Sequence, residues 1–171
     1  MNRRAAPLIV TMSAIILMVV PSVIGAPRLL LWNNSASVPV GLYRVLPPRA
    51  LHVGDIAVVM PPEPLAASLA ARGSLPNGVP LIKPIAALDG QTICRQGLRI
   101  TIDGAFVGAA LAHDHRGLPL PVWKGCRMLG ASEVFLMNPT EPDSFDGRYF
   151  GPLPASSVIG RATPLWFPKE H

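Results

Sequence analysis

The chain has 171 residues, 15 Lys+Arg against 10 Asp+Glu and a net charge of +5. Half of it is hydrophobic, which excludes a disordered chain, and 20 prolines argue against a helical bundle or coiled coil. The length predicts one domain, and the arginines are scattered without a basic run, so anionic lipid suits the charge better than nucleic acid does.

In chain order, Met1-Asn2-Arg3-Arg4 is a short basic start, and from Ala5 to Pro27 there is no charge. About 20 apolar residues span a bilayer. Arg3 and Arg4 would keep the amino end in the cytoplasm and send the rest of the chain outside, in a bacterium to the periplasmic side of the inner membrane. Two readings fit: a retained membrane anchor, or a signal segment cut after Gly25-Ala26. Pro27 directly after that cut disfavours cleavage, so the anchor is preferred. The chain then divides into a membrane anchor or signal segment, 1–32, and one exported domain, 33–171.

Beyond Asn33 no long stretch keeps helical period. Strand-like runs recur instead: Gly41–Val45, Asp55–Met60, Pro80–Pro84, Thr92–Cys94, Leu98–Ile102, Ala105–Val107, Glu133–Met137 and Ser157–Ala162. Leu98 to Val107 alternates apolar residues around Asp103-Gly104, the signal of a two-residue hairpin. Only Leu65–Ala71 reads as a modest helix. The expected fold class is mostly β.

Three segments could carry chemistry. The first is Asn33-Asn34-Ser35-Ala36-Ser37-Val38-Pro39, just past the apolar segment; its plain reading is a polar loop. In the second, Lys83 sits within Val79-Pro80-Leu81-Ile82-Lys83-Pro84-Ile85. Such a setting strips water from an ammonium, lowers its pKa and makes the amine a general base. The plain alternative is an edge-strand lysine that blocks aggregation. The third is Ser144-Phe145-Asp146-Gly147-Arg148-Tyr149-Phe150-Gly151. On a strand Asp146 and Arg148 would share a face, as a surface ion pair of little worth. Cys94 and Cys126, in an exported chain, predict one disulfide. His113 and His115 could join them around zinc, but an exposed loop is the simpler reading. None of His52, His113, His115 or His171 stands in a catalytic-triad motif.

Taken in order, an apolar anchor, Ser-x-Ser-x-Pro, an apolar run with Lys83, and Ser-x-Asp-x-Arg-Tyr resemble the type I signal peptidase family of Ser/Lys proteases. The fit is closest to its conjugative-transfer, TraF-type branch and covers nearly the whole chain. The resemblance implies a signal-peptidase-like, β-rich catalytic domain preceded by one transmembrane or signal helix. It makes Ser37 the nucleophile and Lys83 the general base. Ser35 would help to hold the oxyanion and Ser144 would orient the lysine, with Asp146 and Arg148 supporting them. It implies no metal or organic cofactor. The substrate would bind as an added strand beside Leu81–Lys83. Partners would be a propilin or another membrane-inserted precursor, the inner membrane and other conjugation components.

Some positions depart from the general enzymes. Val38 follows the nucleophile where they place Met, and Pro84 follows the lysine where they place Arg. Met137-Asn138-Pro139 stands where their last motif begins Gly-Asp-Asn, and Gly147 stands where serine is common. These departures shift the expected substrate from general secretory proteins to a pilin precursor of a type IV secretion system, trimmed and in some cases ring-closed. Two rivals stay open: a general signal peptidase of the secretory pathway, and a non-catalytic periplasmic subunit of a conjugation apparatus.

Overall fold

The computed structural model of the chain describes residues 6–23 and 29–168. Arg3, Arg4, Ala5 and Gly25-Ala26-Pro27 lie outside them. The described chain runs α1 (Ala6–Val23), β1 (Leu30–Asn33), β2 (Gly41–Leu46), β3 (Ile56–Val59), α2 (Glu63–Ala71), β4 (Leu81–Ala87), β5 (Thr92–Gln96), β6 (Arg99–Ile102), β7 (Ala105–Ala109), β8 (Gly125–Met128), β9 (Glu133–Leu136), α3 (Gly147–Phe150), β10 (Leu153–Pro154) and β11 (Val158–Trp166). The fold is mostly β. Two antiparallel sheets carry it, one ordered β1-β2-β11-β3-β4-β9-β10 and the other β7-β6-β5-β8.

The first sheet buries residues on both faces. On one face Ala57, Val59, Leu81, Ile85, Val134 and Leu136 pack with Leu69 of α2. On the other, Val38, Tyr43, Val45, Val58, Ile82 and Ala162 close up beneath the β1–β2 connection. The far end of β4 and β9 meets the small sheet through Ala87, Phe135 and Met137 against Ile93, Ile100 and Ile102. The alternation from Leu98 to Val107 forms the β6–β7 hairpin. Asp103 (φ 50) and Gly104 (φ 81) take the two positive-φ positions of its turn. Cys94 and Cys126 face each other across the β5–β8 pair and are joined.

Three expectations change here. β4 does not stop at Pro84 but runs on to Ala87, flanked by β3 and β9. At Lys83 itself β4 pairs only with β3, but the lysine is 4% exposed, so it does not guard an edge against aggregation and that reading of it falls. Asp146 and Arg148 do not share a strand face: Asp146 caps α3 and Arg148 lies within that helix, with side chains 0% and 1% exposed. The sheet also begins earlier than the 33–171 domain boundary, since Leu30 pairs with Arg44. Among the described residues no helix is long and apolar enough to cross a membrane.

Candidate active site

The β1–β2 connection is built by Asn33, itself 4% exposed at the end of β1. Its amide donates to the carbonyls of Ser35 (2.7 Å), Val38 (2.9 Å) and Pro39 (3.2 Å). Its oxygen accepts from the Ser35 N–H and hydroxyl, at 3.2 and 2.9 Å. One buried side chain thus replaces the strand ladder over the turn. The Tyr43 hydroxyl donates to Pro39 O at 2.6 Å, and buried Val38 plugs the core beneath. Ser37 is left half-buried at the top of the turn.

Ser37 meets Lys83. The lysine amine donates to the Ser37 hydroxyl at 2.5 Å and to the Ser144 hydroxyl at 2.7 Å. Lys83 and Ser144 are each 4% exposed. Burial pushes the Lys83 amine down to about 8; Asp146 and Glu141 pull the other way, and Arg148 adds to the drop. An ammonium this dry has lost hydration that two hydroxyls replace only in part. The Ser35 hydroxyl lies 3.4 Å from that of Ser37.

Behind Ser144 the Asp146 carboxylate takes the Arg148 Nε and Nη2, both at 2.9 Å, and the Arg148 backbone N–H at 3.1 Å. Arg148 also donates to the carbonyls of Asn138 (3.1 Å) and Glu141 (2.6 Å). A third buried cation, Arg95, donates to the Arg148 carbonyl and to Pro121 O. Gly147 is required between the pair. A Cβ there would sit 2.6 Å from the Leu136 carbonyl and 2.6 Å from the Phe135 ring. The serine common at this place has no room.

All six expected site residues, Ser35, Ser37, Lys83, Ser144, Asp146 and Arg148, come together from three separate stretches of chain. Reading the sequence did not find Asn33, Arg95 or Asn138. The signal for Asn138 was there, in the departure at Met137-Asn138-Pro139. His113 and His115 line a separate hollow with Arg72 and Tyr149, apart from the cysteines.

A groove of about 610 Å³ opens over Ser37 and Lys83, walled by Leu31, Trp32, Leu75, Val79, Leu81 and Phe145 among others. A serine hydroxyl against a dry amine, beneath an open groove, can attack a peptide carbonyl if the amine takes its proton. That is the chemistry of a peptidase. The chain belongs to the family described as signal peptidase, peptidase S26, which it matches over residues 2–167. It is similar to a probable conjugal transfer protein TraF of Sinorhizobium fredii, 34% identical over 94% of this chain and 90% of that one. It is also similar to a conjugal transfer protein TraF of Agrobacterium fabrum, 35% identical over 78% of this chain and 80% of the relative. A crystal structure of a signal peptidase I from Enterococcus faecalis matches with a TM-score of 0.38 and 17% identity, covering 67% of this chain and 98% of that one.

Proposed function

We propose that this chain is a membrane-anchored serine endopeptidase that trims a pilin precursor for conjugal transfer. The observation that carries the reading is the Lys83 amine at 2.5 Å from the Ser37 hydroxyl and 2.7 Å from that of Ser144, out of water. In the neutral amine the lone pair takes the Ser37 proton while an N–H goes on donating to Ser144. Ser37 Oγ then bonds to the scissile carbonyl carbon. The oxyanion is held by the Ser37 N–H and by the Ser35 hydroxyl, which turns its one proton from Asn33 Oδ1 toward the developing charge, each such donor being worth roughly 3–4 kcal/mol. Collapse breaks the C–N bond, and Lys83 returns the proton to the leaving amine. The acyl-enzyme is then opened by water, or by the pilin's own amino group, which closes a ring. A well-held amine competes through effective molarities of ~10⁵–10⁸ M.

The sheet supports an added substrate strand. β9 pairs with β4 only from Ile85 onward. Ile85 bonds toward Gly54 and Asp55, so by alternation the N–H and carbonyl of Ile82 point to the opposite, groove-side edge. Pro84 ends that edge: it has no N–H, and its carbonyl takes the Met137 N–H at 3.1 Å. A substrate strand would bond to Ile82 and end beside Lys83 and Ser37.

Membrane proximity has its own support. The described side chains of α1, from Leu8 to Val19, are apolar and exposed with few exceptions. Trp32 of β1 and Trp166 of β11 meet with ring centroids 5.9 Å apart and planes tilted by 33°, and Leu30, Leu165 and Phe167 are exposed as well. Tryptophan on an apolar rim suits a membrane–water interface on the periplasmic side. The names of the relatives place those proteins in conjugal transfer, which supports a pilin over the general secretory load.

Mass spectrometry of envelope pilin tests the reading, comparing wild-type cells with a Ser37→Ala strain. The expected result is unprocessed precursor and failed mating in the variant, with bulk secretion normal. A wild-type mass one water below the linear trimmed chain means ring closure. Normal pilin and normal mating in Ser37→Ala would remove the assignment, and a general arrest of secretion would favour the secretory enzyme.

A further inference from the structure

Ser37 and Lys83 belong to elements that are not neighbours. The nucleophile sits on the β1–β2 connection at one edge of the sheet, the lysine sits on β4, and β11 and β3 lie between β2 and β4. Two hydroxyl-to-amine contacts of 2.5 and 2.7 Å need that span to be fixed far better than a twisting edge hairpin provides. Among the described residues, one side-chain hydrogen bond besides that of Lys83 ties residues 34–40 to the far side of the site. The Asn138 amide, from the segment just after β9, donates to the Ser37 carbonyl at 2.7 Å.

We propose that Asn138 is a positioning residue that straps the nucleophile to its base; the proposal rests on the Ser37–Lys83 reading above. Every other polar group of Asn138 is taken. Its N–H donates to Asp146 Oδ2 at 3.1 Å and its carbonyl accepts from Arg148. Its side-chain oxygen accepts from the Thr140 N–H at 3.0 Å and the Thr140 hydroxyl at 2.7 Å. That pair of donors sets the amide's orientation, turning Nδ2 toward Ser37. Holding the Ser37 carbonyl fixes the backbone that aims its Cα–Cβ bond, and so the hydroxyl. The buried Asp146–Arg148 pair then serves both partners. It steadies the loop carrying Ser144, which orients the lysine, and through Asn138 it steadies the serine.

The test is steady-state cleavage of the membrane precursor by the full chain in detergent. Wild type, Asn138→Ala, Asn138→Asp, Thr140→Val and Ser37→Ala are compared, each with its melting temperature. Asn138→Ala should lower kcat by ~10–100-fold with KM within about twofold, since a displacement near 1 Å can cost ~100-fold. Asn138→Asp should do no better, because a carboxylate oxygen would face the Ser37 carbonyl. Thr140→Val leaves the backbone contacts of Asn138 and the Thr140 N–H in place and removes the shorter of the two donors that hold its amide, so kcat should fall by a smaller factor at an unchanged melting temperature. This variant carries the test if Asn138→Ala does not fold. Wild-type kcat in Asn138→Ala or in Thr140→Val overturns the proposal, as does a kcat loss that tracks melting and recovers on cooling. Cleavage by Ser37→Ala would instead overturn the dyad reading beneath it.

Discussion

Lys83 illustrates how burial decides chemistry at a single residue. Its amine is pushed down to about 8 from 10.5, so between those values the unfolded chain holds a proton that the folded chain has released. Stability therefore rises with pH across that window and carries the full penalty below it. Lys83→Met keeps the volume without the charge. It should be more stable than wild type at pH 7, by up to about 3 kcal/mol, with the gap closing toward pH 10 in paired denaturant titrations. A gap that stays constant with pH would mean the amine is not desolvated. Ser144→Ala should lower kcat more than it raises KM, because it removes an orienting acceptor and no substrate contact; a pure KM effect would contradict that role. Ser37, Lys83 and Ser144 were legible because their chemistry narrows the choice of residue: a serine pair, a lone lysine in an apolar run, a serine before Asp-x-Arg. The bracing roles of Asn33 and Asn138 were not legible, although Asn138 stood in a stretch that departs from the general enzymes, since asparagine in a polar loop looks alike whether it braces a turn or faces water. Only contacts made 101 positions apart, as between Asn138 and Ser37, tell the two cases apart.

Elements were legible where they alternate and obscure where they are short. β2, β3, β5, β6, β7 and β9 fall on the expected runs, and α2 begins two residues before the expected Leu65. β8 was missed because Gly125–Met128 is exposed along its whole length and shows no alternation. Its place follows from the bond between Cys126 and Cys94. Replacing both cysteines with serine should lower stability by about 3–4 kcal/mol, read from reversible denaturation, while leaving Lys83 and Ser37 in contact. α3 spans four residues, too few to show a period, and it forms because the Asp146 carboxylate caps it. That local bond is why Asp146 and Arg148 meet through a helix start and not along a strand. Gly147→Ser should destabilise by about 2 kcal/mol, since the Leu136 carbonyl is backbone and cannot give way. Asp146→Ala should cost about 3–5 kcal/mol and most of the activity, by leaving Arg148 buried without its carboxylate. Thermal melts of both variants check this, and an unchanged melting temperature in either would separate that loop from the site.

Across the molecule, the sheet brings an edge turn, a central strand and a capped loop to one groove, and its aromatic rim follows the apolar amino-terminal segment in sequence. The reading puts Trp32 and Trp166 in lipid headgroups and Trp123, bonded to the Gly147 carbonyl at 2.9 Å, away from them. In vesicles with brominated acyl chains, wild-type fluorescence should be quenched, and the Trp32→Phe, Trp166→Phe double variant should lose that quenching. Equal quenching in the double variant would detach the rim from the membrane. Activation of Ser37 by a dry Lys83 is read out by the pH dependence of kcat/KM for precursor cleavage by the full chain in detergent, measured beside Lys83→Arg. The rate should climb with pH and level off above about 8, and Lys83→Arg should not cleave, because arginine stays protonated. A flat or falling profile from pH 6 to 9 in folded protein, or substantial cleavage by Lys83→Arg, would contradict that activation.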